Sequence, residues 1–430
     1  MDGPIDVTGG PVSGSPQPDN PVPGSAPPPV NRRFIAGYTF AQIGAFIGFV
    51  PLLSVLLPLK AGVVAPLSSA LVLSQAAVCG AVAASLAHLL TGIGSDATRT
   101  RIGRRKPWIF AGCALTLASY VGVFMARTPI ELIVAIVLFQ VAFNVMFAPL
   151  VAVFADKVPH NRKGLVAAFS GLAYPAANLF AALVIAILLV SELERLVVIA
   201  ATLVALVIPF AIWGLKEAPA EPRAPVVLTR ALIAFADRDF RLAFVSRLLV
   251  QTAVALNALY LLFYLQQKTD VIERLPGMRV DAVLGMLMAL STGTALIAGF
   301  ASGVWSDRIG GRQRFVCFGG LAVAAGAATL ALAPSWPGPL IGQFIYGVGL
   351  GVFSTADAAL IAQVLPTRAS LGRDLGVMNF AVTLPQIIAP LAGIILLSAM
   401  GWSLLTVFAL SSVFACIGAL MVLRVNLQIR

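Results

Sequence analysis

Gly92–Asp96 reads GIGSD and is followed by RIGRRK at Arg101–Lys106; 211 positions later Gly303–Asp307 reads GVWSD and is followed by RIGGRQ at Arg308–Gln313. Each copy joins two long apolar runs, so the chain reads as two related helical units, each with a basic turn between its second and third helices. The first copy is longer by four residues, Ala97–Thr100, between the acid and the R-I-G.

Composition agrees with that reading. A chain of 430 residues that is 59% hydrophobic and 11% charged, with mean hydropathy +0.95, has too few polar residues to cover a soluble globule. Its excess apolar surface requires lipid. Twelve apolar segments fall at about 34–58, 68–91, 107–125, 130–155, 164–190, 195–215, 241–266, 282–304, 315–333, 338–364, 374–399 and 402–424. Nearly all reach the roughly 20 residues that span the hydrocarbon core as helix. The runs are continuous rather than alternating, which selects helix over barrel strand. The expected fold is an all-α integral membrane protein with twelve transmembrane helices in two pseudo-symmetric six-helix bundles. The bundles occupy 34–215 and 241–424, flanked by tails at 1–33 and 425–430 and joined by a linker at 216–240.

The net charge of +11 is distributed in a way that excludes a nucleic-acid face. With the N-terminus inside, the even-numbered turns and both tails hold 23 of the 29 Lys and Arg residues; the other turns hold Lys60, Arg127, Arg195, Lys268, Arg274 and Arg279. That alternation is the positive-inside rule, so both termini are expected in the cytoplasm, with the chain spanning the cell (inner) membrane. Residues 1–33 are rich in Pro, Gly and Ser without an apolar core and read as a disordered cytoplasmic tail. The linker begins KEAPAEPRAP, which breaks the sixth helix, and continues TRALIAFADRDFR, which fits a short surface helix. Lys268–Asp281 is the only sizeable outer turn, and its mixed charges fit a solvated loop.

Cys79, Cys113, Cys317 and Cys416 all fall inside spans with no paired spacing, so they read as small apolar packing residues rather than a zinc site or disulfide framework. No G-x-x-x-x-G-K-[ST] loop is present, and no nucleophile motif or His/Cys/carboxylate cluster. Neither an ATP-driven pump nor an enzyme is expected, and no cofactor or metal.

Few ionisable groups lie within the spans. Asp357 is nine residues before Pro366, roughly 13 Å along a helix from its end, where an unpaired carboxylate is costly and a functional role is the default. The comparable cation is Arg247 in the seventh span, and a structural Asp357–Arg247 bridge is the competing reading. His88, near the end of the second span, either titrates near neutral pH or makes one helix-to-helix hydrogen bond. A mostly uncharged polar set remains: Tyr38 and Gln42, Gln140 and Asn144, Tyr174 and Asn178, Gln251 and Asn257, Asn379 and Gln386. The first three pairs are each four apart and so share a helix face. Amides and aromatics of this kind fit a neutral polyhydroxylated ligand, and they equally fit helix packing. Pro175 and Pro385 occupy corresponding positions in the fifth and eleventh spans, where they would kink the helices and free backbone carbonyls.

Two six-helix halves, a central linker and the repeated G-x-x-S-D-x…G-x-R turn resemble the major facilitator superfamily over essentially the whole chain after residue 33. The longer first turn, SDATRTRIGRRKPWIF, together with NVMFAPLVAVFADKVPHNRKG at Asn144–Gly164 and LGVMNFAVTLPQIIAP at Leu375–Pro390, resembles the sucrose and glycoside–pentoside–hexuronide symporter branch. The sucrose symporters of plants carry an acid 16 positions before the Asp that ends the fourth helix; the corresponding pair here is Gln140 and Asp156. Asn144 and Pro149 match that branch, whereas Val151 stands where it has Arg.

The resemblance implies a secondary active transporter that moves a small polar solute, a sugar or glycoside first, by alternating access, with a proton or other cation as the candidate coupling ion. Its partners are then the bilayer and the solute, with no nucleic acid, and a monomer is expected. The alternatives are a proton-driven exporter of lipophilic compounds and a transporter-derived sensor or lipid-handling protein. The resemblance assigns gating to Asp96, Arg101, Gly103, Arg104 and Arg105 and to Asp307, Arg308, Gly310 and Arg312. Charge-assisted pairs between the acids and these cations, with helix-end dipoles, would latch the two bundles on the inner side. The competing reading is that the cations only set topology.

Overall fold

The computed structural model describes residues 31–159, 162–215, 235–309, 311–364, 377–378 and 380–425, with only the backbone at 155, 163, 164, 307 and 362–364. The expected N-terminal tail up to residue 30, the linker at 216–234 with its surface helix, and the tail from 426 lie outside the described residues. Among the described residues the regular structure is helical and no strand occurs.

Among the described residues, twelve helices are long and apolar enough to cross a membrane. In chain order they are α1 Arg32–Val64, α2 Ser69–Ala97, α3 Lys106–Met125, α4 Pro129–Lys157, α5 Leu165–Leu188 and α6 Glu192–Gly214, then α7 Arg238–Gln267, α8 Val280–Ile309, α9 Arg312–Leu332, α10 Gly338–Val364, α11 Phe380–Ala399 and α12 Leu404–Arg424. Local signals place their starts. Asn31 caps α1 through its side chain, and Asp237 caps α7 by accepting from the N–H groups of Asp239 and Phe240. Both helices therefore begin a few residues before the apolar runs do, because capping residues are polar. Thr128 and Glu131 close a reciprocal capping box on α4, satisfying backbone donors that the membrane interface would otherwise leave open.

In lipid, apolar surface gives helices no reason to associate, so close approach at small residues carries the packing. The tandem repeat is visible in it. Downstream of the insertion, corresponding positions are 211 − 4 = 207 apart. A methyl group on Gly112 of α3 would lie 2.2 Å from the Met146 nitrogen of α4, and one on Gly319 of α9 would lie 2.4 Å from the Phe353 nitrogen of α10. Both glycine and partner are shifted by 207, so the two halves use one helix contact twice.

The helices interrupt where the sequence predicts. The α5 helix breaks at Leu172, three residues before Pro175, and α11 at Leu384, immediately before Pro385. Each proline lacks the N–H that would bond back four residues, which loosens the helix there. Both helices then widen into π-helical stretches, Ala181–Leu188 and Ile394–Ala399.

The two bundles meet through α5 against α8 and α2 against α11. These contacts concentrate on the face opposite the termini: the Ala181–Leu188 part of α5 packs on α8, where a methyl on Gly285 would lie 2.5 Å from the Ala182 carbonyl. Toward the face that carries the basic turns, Gly171 and Tyr174, which lie on the Asn178 side of α5, are exposed. The space between the bundles is thus closed on one side and open on the basic side.

Candidate functional site

At the apex of that space the two bundles are bridged by uncharged polar groups. Asn178 of α5 donates to the Thr292 hydroxyl of α8 at 2.8 Å, and the Ser74 hydroxyl of α2 lies 2.6 Å from the Tyr260 phenol of α7. On the other wall Gln343 of α10 donates to Asn257 of α7 at 2.9 Å, and the Tyr346 phenol lies against the same asparagine. Tyr174, half exposed and edge-on to Phe46 at 5.8 Å, completes the ring from the α5 side. Five spans from both halves contribute, α2, α5, α7, α8 and α10, none with a formal charge. Such a belt can exchange its hydrogen bonds with hydroxyls or amides of a neutral ligand, and each neutral helix-to-helix bond is weak enough, about 0.6 kcal/mol, to break in a cycle.

The expected cavity residues divide accordingly. Tyr174, Asn178 and Asn257 stand in this belt. Gln386 of α11 is exposed and Gln251 of α7 partly so. Asn379 lies outside the described residues. Tyr38 and Gln42 differ from expectation: the Gln42 amide donates to the Tyr38 phenol at 2.7 Å, both are buried, and the Tyr38 ring packs against Phe34, Phe154 and Phe210. That pair holds the first bundle together rather than lining the opening. Gln140 is buried over Gly80 of α2, and its side-chain oxygen has no hydrogen-bond partner. Asn144 donates to the Gln140 carbonyl at 2.8 Å and faces the His88 ring nitrogen Nδ1 at 3.0 Å. His88 therefore makes a helix-to-helix contact with one nitrogen, while its exposed ring remains accessible.

Arg247 and Asp357 do meet. The Arg247 Nε lies 3.4 Å from Asp357 Oδ2, with side chains 20% and 6% exposed. The contact is an ion pair by distance but not a hydrogen bond by geometry, since Arg247 Nε has no hydrogen-bond partner. A buried pair without directional bonds keeps its Coulomb attraction and forgoes the part that fixes geometry. Asp357 lies seven residues before Val364, roughly 10 Å from that helix end.

The basic turn of the first half is a folded ion cluster. Arg105, 5% exposed, contacts Asp96 at 2.5 Å and Asp156 at 3.2 Å, and donates to the Ser95 hydroxyl at 2.5 Å; Arg104 reaches Asp156 at 2.6 Å. These contacts tie the ends of α2 and α4 to the α2–α3 turn, all within the first bundle. The expected latch between bundles at Asp96 is therefore a clamp inside one bundle in this conformation. Asp156, at the end of α4, takes both guanidinium groups. Gly103, at φ 113, supplies the left-handed residue that turns the chain into α3. Arg101 is exposed. The inserted residues have a place here too: Thr98 accepts from the Trp108 indole at 2.8 Å, and Arg99 donates to the Asp96 carbonyl at 2.9 Å. In the second turn Arg312 donates to the Ala359 carbonyl of α10 at 3.2 Å and Arg308 is exposed. Gly310 and the Asp307 side chain lie outside the described residues; the left-handed residue here is Gly311, at φ 68.

The bundles are joined instead on the opposite face. Arg195 at the start of α6, 5% exposed, pairs with Asp281 at the start of α8, 11% exposed, and also donates to the Leu189 carbonyl at 2.9 Å. Arg279 holds the same carboxylate through two bonds of 3.0 Å and reaches across to the Ala186 and Leu189 carbonyls, both at 2.9 Å. Beside them Lys60 of α1 pairs with Glu192 at 2.7 Å and donates to the Phe124 carbonyl at 2.8 Å. Sequence reasoning treats Arg195 and Arg279 as topology exceptions and the segment up to Asp281 as a solvated loop; two of those loop charges are instead the junction between halves. The available signal is weak: Arg195 and Arg279 are cations on the cation-poor side, but so are the exposed Arg127 and Lys268. Asp270 in the same segment accepts the Trp336 N–H at 2.6 Å and an Arg274 bond at 3.1 Å. The backbone donor first, and then Arg274, hold its carboxyl below the usual carboxylate range.

Comparison with known proteins follows this geometry. Residues 277–427 match the Major Facilitator Superfamily family model. No curated protein sequence matches the chain significantly. Among solved structures, the peptide transporter POT in complex with sulfate superposes with TM-score 0.70 at 12% identity, over 92% of this chain and 95% of that one. The nucleoside transporter NupG gives TM-score 0.68 at 12% identity, over 91% and 98%. A bacterial homolog to the human lysosomal transporter Spinster, in an inward-facing and occupied conformation, gives 0.65 at 16% identity, over 93% and 97%. The architecture is the all-α, twelve-helix major facilitator fold. The match to the sucrose-type branch rests on the sequence signatures alone.

Proposed function

We propose that this protein is a secondary active transporter that moves a small, neutral polar solute, a sugar or glycoside first, by alternating access. One observation carries the reading: an uncharged polar belt built from both bundles sits at the apex of a space closed on one face and open on the other. Tyr174, Asn178, Asn257, Thr292, Gln343 and Tyr346 offer donors and acceptors without a charge to select an ionic substrate. The excess of Lys and Arg on the face bearing the termini supports a cytoplasmic assignment for that face, which makes this conformation inward-open. Gln140 cannot release a proton, so Asp357, loosely held by Arg247, is the coupling candidate. The family-wide turn residues act by clamping α2, α3 and α4 into one rigid body that rocks as a unit.

The test is uptake by purified protein in liposomes with a panel of labelled sugars and glycosides, with and without an imposed pH gradient. Accumulation of at least one sugar above equilibrium under the gradient is the expected result. Gradient-driven movement of lipophilic dyes with no sugar uptake replaces this reading by the exporter.

A further inference from the structure

The α10 helix packs tightly on both of its neighbours through glycine contacts. A methyl on Gly299 of α8 would lie 3.2 Å from the Gly351 carbonyl of α10, and one on Gly319 of α9 would lie 2.4 Å from the Phe353 nitrogen. The α8 and α9 helices, by contrast, touch little along their length. Between them runs a slot of about 380 Å³, floored by Val348 and Val352 of α10 and walled by Ala298, Ala301 and Ser302 on α8 and by Phe315 and Phe318 on α9. At 100° per residue, Ala298, Ala301 and Trp305 lie on the side of α8 away from Gly285 and Thr292, which face the other bundle. The slot therefore opens on the outer wall of the protein, toward lipid, and not into the central space.

Its mouth is at the basic face. Trp305, 60% exposed, and Arg314 line it, and the Arg314 guanidinium is exposed with no hydrogen-bond or ion-pair partner among the described residues. From Ala298 to Trp305 the slot runs along seven residues, roughly 10 Å, against a leaflet depth of about 15 Å. An apolar slot of that depth, open to lipid, with an aromatic and a cation at its interfacial end fits a phospholipid with an anionic headgroup. The other half provides an internal comparison. There the position matching Trp305 is Gly94 and the position matching Phe315 is Trp108, whose ring sits 2.9 Å from where a Gly94 methyl would be and whose indole bonds Thr98 of the insertion. The side chain of Trp108 thus covers the corresponding surface of the first half, whereas the second half leaves it open.

We propose that the slot between α8 and α9 is a binding site for an anionic phospholipid, with an acyl chain along Ala298, Ala301 and Val352 and the phosphate at Arg314. The site is independent of the transported solute and of its direction of movement.

Native mass spectrometry of the delipidated full chain, in detergent with equimolar phosphatidylglycerol and phosphatidylcholine of identical acyl chains, reads the selectivity directly. The wild type should retain phosphatidylglycerol preferentially. Arg314→Gln, a surface change, should lower that preference about fivefold, the equivalent of the ~1 kcal/mol typical of one interfacial cation. Ala301→Trp should fill the slot and lower retention of both lipids, with thermal unfolding in detergent verifying that this variant is folded. Equal retention of the two lipids by the wild type, an undiminished preference in Arg314→Gln, or full retention by a folded Ala301→Trp each overturns the proposal.

Discussion

Replacing Arg195 by Gln should open the face opposite the termini, and the size of the effect can be worked from the contacts there. Asp281 is 11% exposed and receives charge from Arg195 and Arg279. Truncating one member of a buried, hydrogen-bonded charge pair typically costs 2–5 kcal/mol, chiefly by stranding the other. Here Arg279 stays on the carboxylate through two bonds of 3.0 Å, which puts Arg195→Gln near the lower end, about 2 kcal/mol. Once the bundles part on this face both side chains reach water, so the open state loses little. The equilibrium should shift toward it by about 30-fold. Asp281→Asn strands two guanidinium groups, leaving only carbonyl acceptors at Leu189 and Ala186, and should shift it further. The assay is the rate at which a polar maleimide labels a cysteine introduced at Leu56, 3% exposed beside this cluster, in a background lacking the four native cysteines. Labelling should rise in the order wild type, Arg195→Gln, Asp281→Asn. Unchanged rates in both variants, with the fold intact by thermal unfolding, would refute the assignment of this cluster as the closure.

Further outcomes follow from other contacts. On the proposed coupling role of Asp357, whose contact with Arg247 is 3.4 Å and not a hydrogen bond, Asp357→Asn should abolish gradient-driven accumulation and leave exchange down a concentration gradient; full accumulation by the variant contradicts this. A methyl on Gly393 would fall 1.6 Å from the Tyr260 phenol oxygen, so Gly393→Ala must displace the ring and break its bond to Ser74. It should raise labelling at position 56 more than Tyr260→Phe, which removes only one weak bond and should be nearly silent. Asp270, with its carboxyl held below the usual range, stabilises the fold above its unfolded pKa, and that contribution is lost as pH falls through the depressed value. Asp270→Asn should therefore lower the melting temperature at neutral pH, with the gap to wild type closing on acidification; a gap independent of pH refutes that account.

The fold was legible because three signals coincide in the chain: span length, the repeated turn, and alternation of basic residues. Each follows from the membrane itself, which acts on every residue in the same way and so leaves a regular trace. The prolines at 175 and 385 marked the helix breaks for the same reason, since a missing N–H acts locally. The site was legible only in part. Tyr38 and Gln42 share a helix face as expected, but that face turns inward to Phe154 and Phe210, and spacing along one helix does not say which neighbour it meets. Gln343 and Tyr346 escaped notice because an amide and a phenol in an apolar run carry no mark of function until Asn257 is seen beside them. Arg195 and Asp281 are 86 residues apart, and no local pattern joins them. The latch between bundles expected at Asp96 is instead a cluster of Asp96, Arg105 and Asp156 within the first bundle, and the choice of Asp156 is a long-range one made by packing.

The central claim is that a single site is exposed alternately to the two sides of the membrane, and solute counterflow tests it most directly. Proteoliposomes loaded with a high concentration of an unlabelled sugar that the protein accepts are diluted into trace labelled sugar, with no ion gradient. The account predicts a transient accumulation of label above equilibrium, and predicts that Asp357→Asn retains it, because exchange needs alternating access and not coupling. Label that rises only monotonically to equilibrium, as through an open pore, or that never enters for any sugar of the panel, contradicts the account.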